Sequence, residues 1–175
     1  MTSGVRPLRF SVHRMTPDDV PEVAEIERTH QLEPWSASAF REELDKVHAL
    51  CFVARLDTAG AEGRPLGRGR CETRVVGYVC VWIVVDEVQI LTLAVHRDCW
   101  RKGVARALLD RTFREARKRG CVRATLEVRP SNAQALALYG SMGFRRAGER
   151  PGFYAVGGEP AVIMILDLGS NGKDT

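Results

Sequence analysis

QILTLAVHRDCWRKGVARALLDRTFREARK, residues Gln89 to Lys118, decides the fold of this chain. Gln89 to Val95 is short and rich in aliphatic residues, whereas Val104 to Ala116 repeats apolar residues at helical spacing, so a strand feeds a helix. The turn between them, Arg101-Lys102-Gly103-Val104-Ala105, is small enough at Gly103 and Ala105 to let a ligand approach the backbone. The first N–H groups of a helix have no partner within it, and Arg101, Lys102 and Arg106 add charge beside them. Such a turn suits a pyrophosphate. Taken alone, the same residues equally make a tight turn with basic side chains on the surface.

The flanking segments read in the same way. Leu8 to Arg14 alternates apolar and polar residues as a half-buried strand does. Thr16-Pro17-Asp18-Asp19 signals a helix start, with Val20, Val23, Ala24 and Ile26 on its inner face through Glu27. Pro34 keeps Gln31 to Trp35 out of helix, and Ser36 caps a second helix carrying Phe40 and Leu44 one turn apart. Ala49 to Leu56 and Val75 to Val85 are expected to be paired strands. Between them, residues 56–74 form a Gly- and Arg-rich insertion expected to be a mobile loop. Gly120 stops the central helix, Val122 to Val128 is the next strand, Ala133 to Met142 is another helix ended by Gly143, and the stretch from Phe144 to Leu168 closes as a two-stranded ribbon.

The chain of 175 residues, 45% hydrophobic, fits one domain over residues 8–168, with an N-terminal extension 1–7 and a C-terminal tail 169–175. Val75 to Val85 is too short to cross a bilayer, and MTSGVRPLRF lacks the apolar centre of a signal peptide, so no membrane is expected and the cytoplasm is the expected compartment. Five cysteines without a C-x-x-C pair and singly scattered histidines predict free thiols and no metal site. The formal charge of +4 comes without an RNA-binding motif, so direct nucleic-acid binding is not expected. No G-x-G-x-x-G follows a first strand, which excludes a dinucleotide-binding enzyme.

The runs LAVHRDCWRKGVARALLDRTFREARKRG and LEVRPSNAQALALYGSMGF resemble the acetyl-CoA-binding core of the GNAT acetyltransferase superfamily. The second run and Glu33-Pro34-Trp35-Ser36 are similar to its RimI-type enzymes, which acetylate the N-terminal amine of a ribosomal protein. The resemblance implies a mixed α/β fold, mostly antiparallel, of about six to seven strands and about four helices, splayed between the fourth and fifth strands. Three features depart from the pattern: Trp100 stands where Gln or Arg is usual, Ala105 replaces the last Gly, and residues 56–74 are inserted. Replacing a polar residue by Trp100 is expected to remove a side-chain donor to the cofactor.

By the same resemblance acetyl-CoA is the co-substrate. Leu93, Ala94 and Val95 are expected to offer backbone groups to the pantetheine arm and thioester, and Arg101, Lys102, Gly103, Val104, Ala105 and Arg106 to hold the pyrophosphate. Glu127 corresponds to the family's base and Tyr139 to its proton donor. A plain reading leaves Glu127 an outward strand residue paired with Arg129 or Arg101, and Tyr139 a core tyrosine. Asn132 and Tyr139 are seven residues apart and share one helix face, so Asn132 is expected to serve the same ligand. Trp35 and Tyr154 are expected to line the acceptor slot, although Trp35 equally plugs the helix pair.

An α-amine with a pKa of about 8 is roughly a tenth neutral at pH 7, and a lysine near about 10.4 far less, so a carboxylate base suffices for a chain terminus. The implied activity is acetylation of a protein N-terminus, with a ribosomal protein beginning in Ala as the expected partner. Other N-termini, lysine side chains, or a non-catalytic acyl-CoA-binding module are the alternatives. The sequence leaves the oligomeric state open.

Overall fold

Two stretches, Ala49–Asp57 (β2) and Thr73–Val84 (β3), are apolar at nearly every position because the sheet they build is covered on both faces. The computed structural model describes residues 8–57 and 73–169. The extension 1–7, residues 58–72 of the expected loop, and the tail from 170 lie outside the described residues.

The remaining strands are Phe10–Arg14 (β1), Glu87–Val95 (β4), Arg123–Val128 (β5), Arg145–Arg150 (β6) and Ala161–Asp167 (β7). They form one seven-stranded sheet in the order β1-β2-β3-β4-β5-β7-β6. All neighbours run antiparallel except β4 and β5, which are parallel. The closing ribbon is therefore not a simple edge hairpin: β7 inserts between β5 and β6.

Four helices cover this sheet: Val20–His30 (α1), Ala37–Leu44 (α2), Val104–Lys118 (α3) and Ala133–Ser141 (α4). Side chains alternate across a strand, so Leu50, Phe52 and Ala54 of β2 join the core under α3 and α4. Their neighbours Cys51 and Val53 join the core under α1 and α2, with Val20, Val23, Ile26, Phe40 and Tyr78. The first helix begins later than its capping signal, because Pro17–Asp19 makes a 3₁₀ turn before Val20. The Asp19 carboxylate accepts from Thr16 N–H at 2.8 Å and pairs with Arg55 of β2 at 2.7 Å, tying that turn to the sheet.

Three details position the site. The β3–β4 register slips between Cys80 and Val81, leaving Leu91 as an extra residue in β4. The β4–β5 ladder runs only from Glu87↔Arg123 to Ile90↔Leu126 and stops there. Beyond it β5 follows β7, pairing Glu127 with Ile163 and Val128 with Val162, while β4 follows β3 to Val95. The fourth and fifth strands therefore part where the bulge bends β4 away.

Candidate active site

The parting of β4 and β5 opens a cavity of about 640 Å³ that reaches both faces of the sheet. Along β5, Ala124, Leu126 and Val128 are buried and the intervening Thr125 and Glu127 are half-buried, so Glu127 lies opposite the core under α3 and α4. Tyr139 belongs to that core, packing edge-on against Phe144 at 5.5 Å. Glu127 and Tyr139 line the same cavity from the two sides.

Glu127 is not paired with Arg129 or Arg101, as the plain sequence reading would have it. Arg150 of β6 holds it, Nη1 to Oε1 at 3.0 Å. Tyr139 is only 7% exposed, and burial pushes its phenol well above the ordinary tyrosine value, with nearby Tyr154 adding to the effect.

Along β4, His96 N–H donates to Val76 C=O at 2.8 Å, which fixes the alternation of its backbone groups. Ala94 therefore turns its backbone groups to β3, whereas Leu93 and Val95 turn theirs to the open edge. The Val95 carbonyl is already taken: Trp100 Nε1 donates to it at 2.6 Å. Trp100 thus keeps a donor and spends it on the strand, with His30 edge-on at 5.7 Å.

The α3 start has the form of an anion cradle. Gly103 caps it at φ 82, and Arg101 also takes a positive φ of 57. The first helical bond runs from Ala107 N–H to Gly103 C=O at 3.0 Å, so the N–H groups of Val104, Ala105 and Arg106 lack intrahelical partners. The Val104 side chain is buried and anchors the turn. Lys102 Nζ folds back on Asp98 C=O at 2.8 Å, and Arg106 Nη2 donates to Ser141 Oγ at 2.8 Å. Asn132 caps α4, its Oδ1 accepting from Ala135 N–H at 3.0 Å, and its side chain borders the cavity with Tyr139.

On the acceptor side, Trp35 and Tyr154 both line the cavity. The Trp35 ring leans on Phe40 at 5.5 Å, so lining the slot and plugging the helix pair are the same placement. Arg129 lies 3.8 Å above the Tyr154 ring, where its charge opposes the upward push of burial on that phenol. The same guanidinium donates to Val156 C=O at 2.9 Å and pairs with Glu33 at 3.6 Å and Glu159 at 3.5 Å. Glu33 also accepts from Val156 N–H at 2.6 Å, so the α1–α2 loop is joined to the β6–β7 loop.

Sequence reasoning missed Arg150, Arg129 and Glu27. Nothing in RRAGER marks Arg150. Glu27 did carry a signal, since Val20, Val23 and Glu27 fall on one helix face, and a carboxylate there is buried.

The arrangement presents a passage through the sheet lined by a carboxylate and a phenol from opposite sides, with Leu93 on its wall; Ala94, Val95 and the α3 start, Arg101 to Arg106, do not line it. A model of the acetyltransferase (GNAT) family matches residues 20–144. Over 152 residues the chain is 34% identical to the ribosomal protein bS18-alanine N-acetyltransferase of Escherichia coli (strain K12), taking in 86% of this chain and 92% of that one. The crystal structure of the ribosomal-protein-S18-alanine N-acetyltransferase from Escherichia coli superposes with a TM-score of 0.75 at 30% identity, covering 95% of this chain and 99% of that one. Arabidopsis thaliana NAA60 in complex with acetyl-CoA shares the fold, with a TM-score of 0.76 at 22% identity over 91% of this chain and 98% of that one.

Proposed function

The chain belongs to the acetyltransferase (GNAT) family, in its RimI-type branch, and from that premise we propose that it acetylates the N-terminal α-amine of a ribosomal protein beginning with alanine. Acetyl-CoA is the donor. The observation that carries the reading is the unpaired stretch beyond Ile90 and Leu126, where Glu127 and Tyr139 line one cavity from opposite faces of the sheet.

The residues divide the work. The α3 start, Arg101 to Arg106, holds the pyrophosphate by N–H groups and helix dipole. The open edge of β4 supplies Leu93 N–H and C=O to the pantetheine arm, as a strand pairs with a peptide-like ligand. Asn132 borders the path of that arm with its amide. The acceptor enters from the other face, between Trp35 and Tyr154.

Glu127 takes a proton from the α-ammonium, directly or through water, and frees the nitrogen lone pair. That nitrogen bonds to the thioester carbonyl carbon, and the carbon–sulfur bond breaks as the intermediate collapses. Tyr139 gives its proton to the departing thiolate. The nitrogen loses two protons in all, the first to Glu127 and the second, as the amide forms, through water to the Tyr139 phenolate. The thiol gains the one that Tyr139 gave, and the proton on Glu127 then leaves to solvent. Burial keeps the Tyr139 proton in place until the thiolate forms. The cytoplasm, where acetyl-CoA and ribosomal proteins meet, is the compartment that fits this reaction.

Steady-state kinetics with acetyl-CoA and a hexapeptide bearing a free N-terminal alanine test the assignment. Glu127→Gln lowers kcat by about 10²-fold or more, the range expected of a general base, while acetyl-CoA binding stays within about twofold. Tyr139→Phe lowers kcat in the same way. Unchanged turnover in both variants, or equal transfer to an N-terminally blocked peptide carrying lysine, refutes the reading.

A further inference from the structure

Beneath the acceptor slot lies a carboxylate for which the chemistry above has no use. Glu27 of α1 is 1% exposed, yet it borders the cavity. Its Oε2 accepts from the Tyr78 hydroxyl of β3, in a short contact, and from Thr92 Oγ1 of β4 at 3.3 Å. Its Oε1 accepts from the backbone N–H of Trp35 at 3.0 Å. A second path closes the circuit through aromatic rings: Trp35 on Phe40 at 5.5 Å, and Phe40 edge-on to Tyr78 at 5.4 Å.

Burying a carboxylate is costly unless it is well supplied with donors, and burial indeed raises the pKa of Glu27, with its three hydrogen bonds opposing the rise. Among the described residues no lysine or arginine pairs with it, and Tyr78, Thr92 and Trp35 are its hydrogen-bond donors. A neutral residue would fill the volume at less cost. What a neutral residue lacks is two acceptor oxygens facing opposite ways, one toward the strands and one toward the loop. Thr92 adjoins the bulged Leu91, in the part of β4 that has left β5, and Trp35 forms the facing wall.

We propose that Glu27 is a positioning residue for the acceptor: it fixes the Trp35 wall at a set distance from the splayed part of β4, so that an incoming chain terminus is aimed between the strands. This rests on the acceptor entering beside Trp35. It assigns Glu27 no part in proton transfer and no direct hold on the cofactor.

Three variants test it. In Glu27→Gln the amide keeps one acceptor oxygen, so it can hold Trp35 N–H or accept from the hydroxyls but not both, and the link between loop and strands is weakened at one end. In Glu27→Asp the charge is retained and the reach is lost. Tyr78→Phe combined with Thr92→Val keeps the carboxylate and removes its strand anchors.

All three are expected to raise KM for the alanine hexapeptide about tenfold and to leave KM for acetyl-CoA within about twofold. Amide hydrogen exchange at Trp35, read without either substrate, is expected to speed up at least about tenfold in Glu27→Asp. Equal changes in both KM values mark a merely structural role and overturn the proposal. So does a Glu27→Asp protein with the parent's peptide KM, because charge alone would then account for the effect. Unchanged Trp35 exchange in Glu27→Asp overturns it whatever the kinetics. A parent protein that acetylates no α-amine refutes the assigned function, and the exchange measurement still judges Glu27 on its own.

Discussion

Glu127 sits in the gap already engaged with Arg150, whose guanidinium is 57% exposed and stacks near Phe153 at 5.2 Å. If Glu127 receives the acceptor ammonium as proposed, the ammonium and the guanidinium share one carboxylate, so Arg150 competes with the substrate. An ion pair this open to water is worth at most about 1 kcal/mol, which limits the competition to roughly fivefold. Arg150→Met is therefore expected to lower KM for the alanine peptide by about two- to fivefold, less so as salt is raised. Peptide titrations at low and high ionic strength check this, and a raised KM would mean that Arg150 orients Glu127 instead of blocking it. Tyr139 supports a companion expectation. Burial lifts its phenol above the ordinary 10.0, so no alkaline loss of kcat up to pH 10 belongs to Tyr139. A pH–rate profile falling below pH 10 in the parent but not in Tyr139→Phe would contradict it.

The elements that set the gap include one local misfit. Val85, at the tip of the β3–β4 hairpin, has φ 56 and is 90% exposed. A β-branched residue at positive φ is strained, and no apolar burial offsets the strain there. Val85→Asn, which tolerates that conformation, is expected to stabilise the protein by about 1 kcal/mol, or roughly 2–4 °C in Tm. A calorimetric Tm equal to or below the parent's would show that the turn is relaxed. Gly77 of β3 is the opposite case. A Cβ there would lie 3.1 Å from Ala94 O, 3.1 Å from Val95 Cγ2 and 3.2 Å from Val104 Cγ1, where β3, β4 and the α3 start meet. Gly77→Ala is expected to cost about 1–3 kcal/mol and, if Leu93 to Val95 and the α3 start hold acetyl-CoA as proposed, to raise its KM. These cases also mark what could be read in advance. Strands and helices were legible because hydrophobic period, caps and the positive-φ glycines Gly103, Gly120 and Gly143 are local signals. The place where β4 and β5 part was expected only from the resemblance, and the bulge at Leu91 behind it leaves no local trace, since an extra residue in a uniformly apolar strand looks like any other. The partners of Glu127, Arg129 and Trp100 were equally hidden, because each depends on which distant strand or loop lies beside it.

Across the whole molecule, a sheet covered on both faces by helices is breached at one place, and the breach is where the polar groups gather. Among the described residues no helix is long and apolar enough to cross a membrane. Holding the breach open has a cost in stability that Glu27 makes measurable. Its native pKa is raised above the ordinary 4.5 by burial. In the pH range between the unfolded value and that raised native value, the folded protein binds the proton that the unfolded chain has released. Stability from this group is therefore fully present below 4.5 and is lost as pH rises through the native value. Glu27→Gln has no such proton to lose. Urea unfolding of the two proteins from about pH 4 to pH 8 is expected to show the stability of the variant minus that of the parent increasing with pH. The other carboxylates titrate in both proteins and cancel in the difference. A difference that stays constant or falls with pH would mean that Glu27 is ionised in the folded state at least as easily as in the unfolded chain, and that burying it beside Trp35 costs the fold nothing.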